Sequence, residues 1–257
     1  MTRPKGTLPP AVVVGGTTAA SLRSPVERVT SYVFARQTLL VLFGLGVITT
    51  VMRWMSANSW GLAGVGAAWI ALGLEASYYF RIVESKAAGD DALATPDFSN
   101  LHYDIVGPAV RYVLSLAPVV VALAWWASRS GLGWIGFRGA LESPQVVWPD
   151  VGPSTLLVAS IVLWPLMTAI AAISRSVIAM FNPAVWWSTL RSFGMRYVIG
   201  ATMFYALMAA HYYALRGLVQ VVGTGFVALL AIQVVSILAF ALRGAVLGVV
   251  CEPYFEQ

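Results

Sequence analysis

Apolar residues along this chain come in long runs separated by short polar connections. A helix of about 20 mostly apolar residues crosses a hydrocarbon core ~30 Å thick. Six stretches meet that requirement: Thr38–Met55, Gly61–Phe80, Pro108–Ser128, Pro153–Ser174, Tyr197–Leu215 and Gly225–Leu242. The pattern therefore predicts an all-α polytopic membrane protein, a bundle of about six transmembrane helices. Residues 1–30, with Pro, Gly, Thr and Ser around a short Val run, read as a flexible tail, which leaves 31–257 as a single transmembrane domain. Within that first stretch, Ser24-Pro25 marks the start of a short amphipathic entry helix with Val26, Val29 and Val33 at helical spacing. Pro118 and Pro165 each remove a helical hydrogen bond and predict kinks in the third and fourth spans.

Two of the connections carry the same device. In the first, Thr95 caps a helix that begins at Pro96, with Asp97 near the positive end of the helix dipole and Phe98, Leu101 and Ile105 on one face. In the second, Asn182 caps a helix that begins at Pro183, with Trp186, Leu190 and Phe193 on one face beside Trp187. Each runs into the same tripeptide, Arg111-Tyr112-Val113 and Arg196-Tyr197-Val198. The expectation is two interfacial helices on the cytoplasmic side and a weak internal repeat of helix, Arg-Tyr anchor and span.

Composition supports the membrane reading. Charged residues are 11% of the chain, against about 25% in soluble domains, and the mean hydropathy is +0.78. The net charge of +5 is better explained by basic loops at an anionic leaflet than by nucleic acid, since no basic run with interleaved aromatics occurs. With the N-terminus inside, twelve Lys and Arg fall on the inner side and four (Arg53, Arg129, Arg138, Arg216) on the outer. This bias places both termini in the cytoplasm, in a bacterial cytoplasmic (inner) membrane. The single cysteine, Cys251, forms no internal disulfide. Five of the eleven acids lie between Glu84 and Asp104, in a solvated hairpin that turns at Gly89 and doubles as a possible docking surface.

The run Tyr78 to Phe98 and the later run Trp164 to Val198 resemble a family of prokaryotic multi-span membrane proteins known only as a domain of unknown function. In that family a helix ends in aromatic residues and Arg, a Gly-acid pair follows, and Pro-acid-aromatic leads an amphipathic helix; later an Asn-Pro opens a second one. The matching residues are Tyr79, Arg81, Gly89, Asp90, Pro96, Asp97, Phe98, Pro165, Asn182, Pro183 and Tyr197. The resemblance covers Gly61 to Leu215 and implies the membrane fold; it carries no activity with it.

Sequence chemistry is sparse. Gly131 to Gly136, GLGWIG, matches a dinucleotide-binding pattern but follows a membrane span rather than a strand, so it reads as an interfacial turn with Trp134, Phe137 and Trp148 at headgroup depth. The acids near Asp90 and Asp91 lack the ligand order of a calcium loop. There is no H-E-x-x-H, no paired Cys and no G-x-S-x-G, so no enzyme and no cofactor are expected. Two intramembrane polar positions stand out. His211 near the outer end of the fifth span suits an interhelical hydrogen bond. Glu75 continues an Ala63, Ala67, Ala71 stripe five residues from the inner end of the second span. It reads either as a structural acid bonded to a Tyr, Ser or Arg, or as a proton- or cation-sensitive site. In the first case Glu75→Gln leaves assembly nearly intact and Glu75→Leu weakens it. The function expected is an accessory, scaffolding or assembly membrane protein acting through helix contacts with lipid and with other subunits or a second copy. A small-solute transporter or channel is the alternative.

Overall fold

Ser24, Pro25 and Glu27 open helix α1 (Pro25–Val33) with a capping box: the Ser24 hydroxyl accepts from Glu27 N at 3.2 Å and the Glu27 carboxylate accepts from Ser24 N at 3.0 Å. Val29, Tyr32 and Val33 are buried, while Val26 is exposed. The computed structural model describes residues 24–59, 61–93, 100, 102–142, 147, 149–222 and 225–255. The expected boundary at residue 30 thus falls within α1, which packs on the last helix of the chain.

Helix α2 (Arg36–Asn58) turns through Gly61, at φ 75°, into α3 (Leu62–Ala87). Gly89, at φ 87°, ends α3: its N–H reaches Lys86 O at 3.1 Å and the N–H of Asp90 reaches Ser85 O at 3.1 Å. This is the paired C-terminal closure that a left-handed glycine allows. A π-helical turn, His102–Val106, leads into α4 (Gly107–Ser115), and α5 (Ala117–Arg129) follows after a 46° bend. Pro118 lies at that bend, where it has no N–H to offer the preceding turn. Then come α6 (Gly133–Glu142), α7 (Val151–Ser174), the single turn α8 (Val177–Met180), α9 (Pro183–Phe193), α10 (Met195–Val222) and α11 (Phe226–Phe255). Asn182 caps α9 by accepting from Ala184 N at 3.0 Å, as its sequence predicts.

Every element among the described residues is helical. Four helices, α2, α7, α10 and the Phe226–Glu252 part of α11, are long and apolar enough to cross a membrane, and the bent unit of α4 and α5 makes a fifth if counted as one span. The expected second span, Gly61–Phe80, is the first part of α3. That helix continues seven residues further and carries Glu75, Arg81, Glu84 and Lys86, so it falls short of the apolarity of the others.

Side-chain contacts fix the directions of the rods. Thr38 against Leu93 and Arg53 against Glu75 make α2 and α3 antiparallel. Gln233 against Glu75, with Gly248 against Val83 and Lys86, makes α11 run with α3. His211 against Ser236 and Gly200 against Val250 set α10 antiparallel to α11. Trp125 against Gly152 and Ser115 against Trp164 do the same for α5 and α7. The long helices alternate in direction along the chain.

Pro165 interrupts α7 without ending it. Its ring leaves the carbonyl of Ile161, four residues back, without a helical donor. The Tyr205 hydroxyl from α10 donates to that carbonyl, and Tyr197 donates to the neighbouring Val162 O at 2.7 Å. Around this junction Leu166–Ala172, Tyr79, Phe80, Phe193 and Phe204 form the main core.

The structure describes the second expected interfacial helix whole and only the end of the first. Phe98 and Leu101 lie outside the described residues. Ile105 is half-buried against Gly73, where a β-carbon would meet the Ile105 carbonyl at 2.9 Å. The described part of the first segment is therefore the foot of the bent unit that contains α4, packed on α3, whereas α9 is a separate helix closed by Gly194. Thr95, Pro96 and Asp97, which open the first expected helix, also lie outside the described residues.

Candidate functional site: charged groups inside the bundle

The expected Ala stripe of α3 leads to Glu75: Ala67 and Ala71 are buried, although Ala63 is exposed. Glu75 lies thirteen residues after Leu62 and twelve before Ala87, at the middle of its helix rather than near an end. Its partner is an arginine, one of the residue types expected, reached across the α2–α3 pair. Arg53 Nη2 lies 2.9 Å from Oε1 and 2.8 Å from Oε2, with Nε at 3.2 Å from Oε1. This fork geometry suits a planar guanidinium on a carboxylate. Gln233 Nε2, from α11, donates to Glu75 Oε1 at 2.6 Å and lies 3.1 Å from the Thr49 hydroxyl of α2. Three helices are thus tied at one level. The Glu75 side chain is 12% exposed and that of Arg53 45%, so the acid is held inside while the base reaches to it from the bundle surface.

On α11 the polar residues Gln233, Ser236 and Arg243 follow at steps of three and seven, together with Phe240, and so share a face. His211, the other expected polar position, meets this face: its Nε2 is 3.2 Å from Ser236 Oγ, an interhelical hydrogen bond. Glu75 and His211 therefore attach to successive points of one polar strip rather than to each other. Arg243 lies further along, only 7% exposed, with its guanidinium 5.1 Å from the Phe240 ring centre and 5.8 Å from that of Phe204.

A second set of charges closes the end of the bundle where α1 lies. Arg81 pairs with Asp104 at 3.0 Å and Arg175 with Glu84 at 2.6 Å. Arg111 donates to Ala171 O at 2.7 Å and covers the Phe80 ring. Arg28 of α1 pairs with Glu252 of α11. Tyr32 donates to Ser85, which donates to Asp90 at 2.8 Å; burial pushes the Tyr32 hydroxyl up to about 12, so it remains a neutral donor. Glu84, Asp90 and Asp104, three of the clustered acids, thus fasten helix ends to one another. Asp97 lies outside the described residues.

The expected partner contacts on α9 divide. Trp186 and Leu190 are half-buried, Phe193 is 2% exposed, and the Trp186 indole donates to Met180 O at 2.6 Å. These side chains pack on the protein's own core, as Ile105 does. Trp187 points outward at 60% exposure, with Arg191 stacked on it at 4.9 Å. Gly131–Gly136 runs from the end of α5 into α6, with no strand before it, and Trp134 stacks on Phe137 at 5.3 Å.

Arg53, Gln233, Thr49 and Arg243 were not singled out from the sequence. Arg53 lies two residues inside the outer end of the expected first span and is counted with the outer side, and Arg243 directly follows the expected last span and is counted with the inner. The signal available was the rarity of such residues beside long apolar runs, which makes each an intramembrane candidate. No family model matches the chain, and no curated protein or solved structure matches it.

Proposed function

We propose that this protein is an integral accessory or assembly protein of the bacterial cytoplasmic membrane, which offers one helix to another membrane subunit or to a second copy of itself. In this reading it crosses the membrane six times, α3 providing the second pass, with both termini in the cytoplasm. The alternating directions of the long helices and the twelve-to-four distribution of Lys and Arg support that topology.

The observation that carries the functional reading is the poor cover of α10. In its most apolar window 11% of the residues are buried, against 56% in α7 and α11. Its open side carries Thr202, Ala206, Ala209, Ala210, Tyr213 and Gly217, all exposed and all on one face at helical spacing. Small side chains every three or four residues let a second transmembrane helix approach closely, and association in lipid depends on such packing. Glu75, by contrast, is tied by two side chains, Arg53 and Gln233, which suits a structural lock. The test is purification in mild detergent of the wild type and of Ala206→Trp. The wild type should elute with a membrane-protein partner or as a dimer, and the variant without it. A wild-type monomer free of partners, or a complex unchanged by Ala206→Trp, contradicts the reading.

A second reading, a small-solute transporter, is favoured by the charged residues Glu75 and Arg243 in the bundle, with Arg53 reaching Glu75 from the surface. Uptake assays in proteoliposomes separate it from the first.

A further inference from the structure

From Val151 to Cys251 the chain holds five arginines and no acid. Arg175 pairs with Glu84, and Arg243 is enclosed by rings. Arg191 and Arg196, by contrast, are exposed on either side of Gly194, which at φ 53° turns α9 into α10. Neither takes part in an ion pair among the described residues. Both lie at the end of the bundle where α1 packs: Gly200, about one turn after Arg196, meets Val250, two residues before the Glu252 that holds Arg28.

Helix α9 turns one face, with Val185, Trp186, Leu190 and Phe193, onto the core. Its other face carries Trp187 and, one turn on, Arg191, whose guanidinium lies 4.9 Å from the ring centre. An arginine stacked in this way covers the ring with its flat side and keeps the donors in its plane for another partner. Ile178, Phe181 and Met195 are exposed around the same corner. Apolar side chains and an indole interleaved with long-stemmed cations form the pattern of a surface at headgroup depth: rings and stems lie against acyl chains while the charged ends reach the phosphates. The acids of this end are engaged elsewhere. Glu84, Asp104 and Glu252 hold Arg175, Arg81 and Arg28, and Asp90 accepts from Ser85.

We propose that the corner between α9 and α10, with Trp187, Arg191 and Arg196, binds the headgroup of an anionic phospholipid in the leaflet at this end of the bundle. Guanidinium forks match phosphate oxygens. Two positive charges without a neighbouring acid select a headgroup of net negative charge over a zwitterionic one, whose own ammonium offsets its phosphate. The assignment rests on the membrane reading and is independent of the role given to the later part of α10.

The test titrates the purified protein in mild detergent with phosphatidylglycerol or phosphatidylcholine and counts bound lipid by native mass spectrometry. The wild type should retain phosphatidylglycerol more tightly than phosphatidylcholine. Replacing both arginines, Arg191→Gln with Arg196→Gln, should weaken phosphatidylglycerol by about fivefold for each arginine and leave phosphatidylcholine unchanged. Arg191→Lys with Arg196→Lys should keep most of the preference, because the charges remain. Arg138→Gln with Arg216→Gln, which removes two exposed arginines at the opposite end, should keep all of it. Equal retention of the two lipids by the wild type, as expected if a protein covered this corner instead, overturns the proposal. So does a preference unchanged in the first glutamine pair, or lost equally in the distant one. Should the first glutamine pair aggregate, photoactivatable phosphatidylglycerol crosslinked to the wild type decides the matter: an adduct within 187–196 supports the site, and adducts only elsewhere overturn it.

Discussion

Replacing Glu75 by Gln keeps the outline of the side chain and removes its charge. From the sequence alone the amide predicts a mild effect; the contact with Arg53 reverses that expectation. At 2.8 Å and an effective dielectric constant near 20, the attraction is about 6 kcal/mol, offset by several kcal/mol of desolvation for each ion. Breaking such a pair by removing one partner costs about 3–5 kcal/mol, because the other charge remains without compensation. Arg53 is nearly half exposed and its freed guanidinium can swing toward the headgroups, which places Glu75→Gln near the lower limit, about 3 kcal/mol. Arg53→Gln leaves the more enclosed carboxylate with Gln233 alone and should cost about 4 kcal/mol. The double variant leaves two neutral amides and should cost about 3–4 kcal/mol, a coupling of about 3 kcal/mol at the upper end for contacting residues. Unfolding in mixed micelles, followed by tryptophan fluorescence, measures all three. Additive single costs, or a Glu75→Gln variant within about 0.5 kcal/mol of wild type, would refute the reasoning, since surface changes of no consequence fall in that range.

Three further outcomes are expected. Tyr205→Phe removes the donor to the Ile161 carbonyl and should cost about 1–3 kcal/mol; in a Pro165→Ala background the restored backbone N–H should make the same change nearly neutral, as parallel melting curves would reveal. Gly248→Ala places a β-carbon 2.6 Å from Lys86 Cβ and 3.0 Å from Val83 O. It should force α3 and α11 apart at a cost of about 1–3 kcal/mol, and a fully stable variant would contradict that packing. Cysteines at Asp91 and Leu132 should react with an impermeant thiol reagent from the cytoplasmic and the opposite side respectively, against little background because the native Cys251 thiol is buried; labelling from the reverse sides contradicts the orientation.

The helices themselves were legible because run length and caps are local properties. Ser24-Pro25 with Glu27, Asn182-Pro183 and the left-handed Gly89 each act within a few residues of chain, and each does in the structure what its chemistry demands. Glu75 was legible as a protein-facing acid, since Ala67 and Ala71 share its face. Its partner was not. Arg53 is 22 residues away on an antiparallel helix, two residues inside the expected outer end of the first span, and the pairing depends on the register of two helices that no local pattern encodes. The extra turns of α3 were hidden for a similar reason: Arg81, Glu84 and Lys86 resemble a loop until their own partners, Asp104, Arg175 and the Asp90 carbonyl, are in place. At the described end of the first interfacial segment, an amphipathic pattern serves a surface helix and the foot of a bent helix pair equally well. Ile105 lodges against Gly73, a contact 32 residues back that no local pattern encodes.

The exposed face of α10 is tested most directly by a photo-crosslinking residue placed at Ala206 in native membranes, with the same residue at Leu40, 64% exposed on α2, as the lipid-facing control. The account predicts a discrete protein adduct at Ala206, of the mass of one partner or of a second copy, and none at Leu40. No protein adduct at Ala206, or equal adducts at both positions, would contradict it.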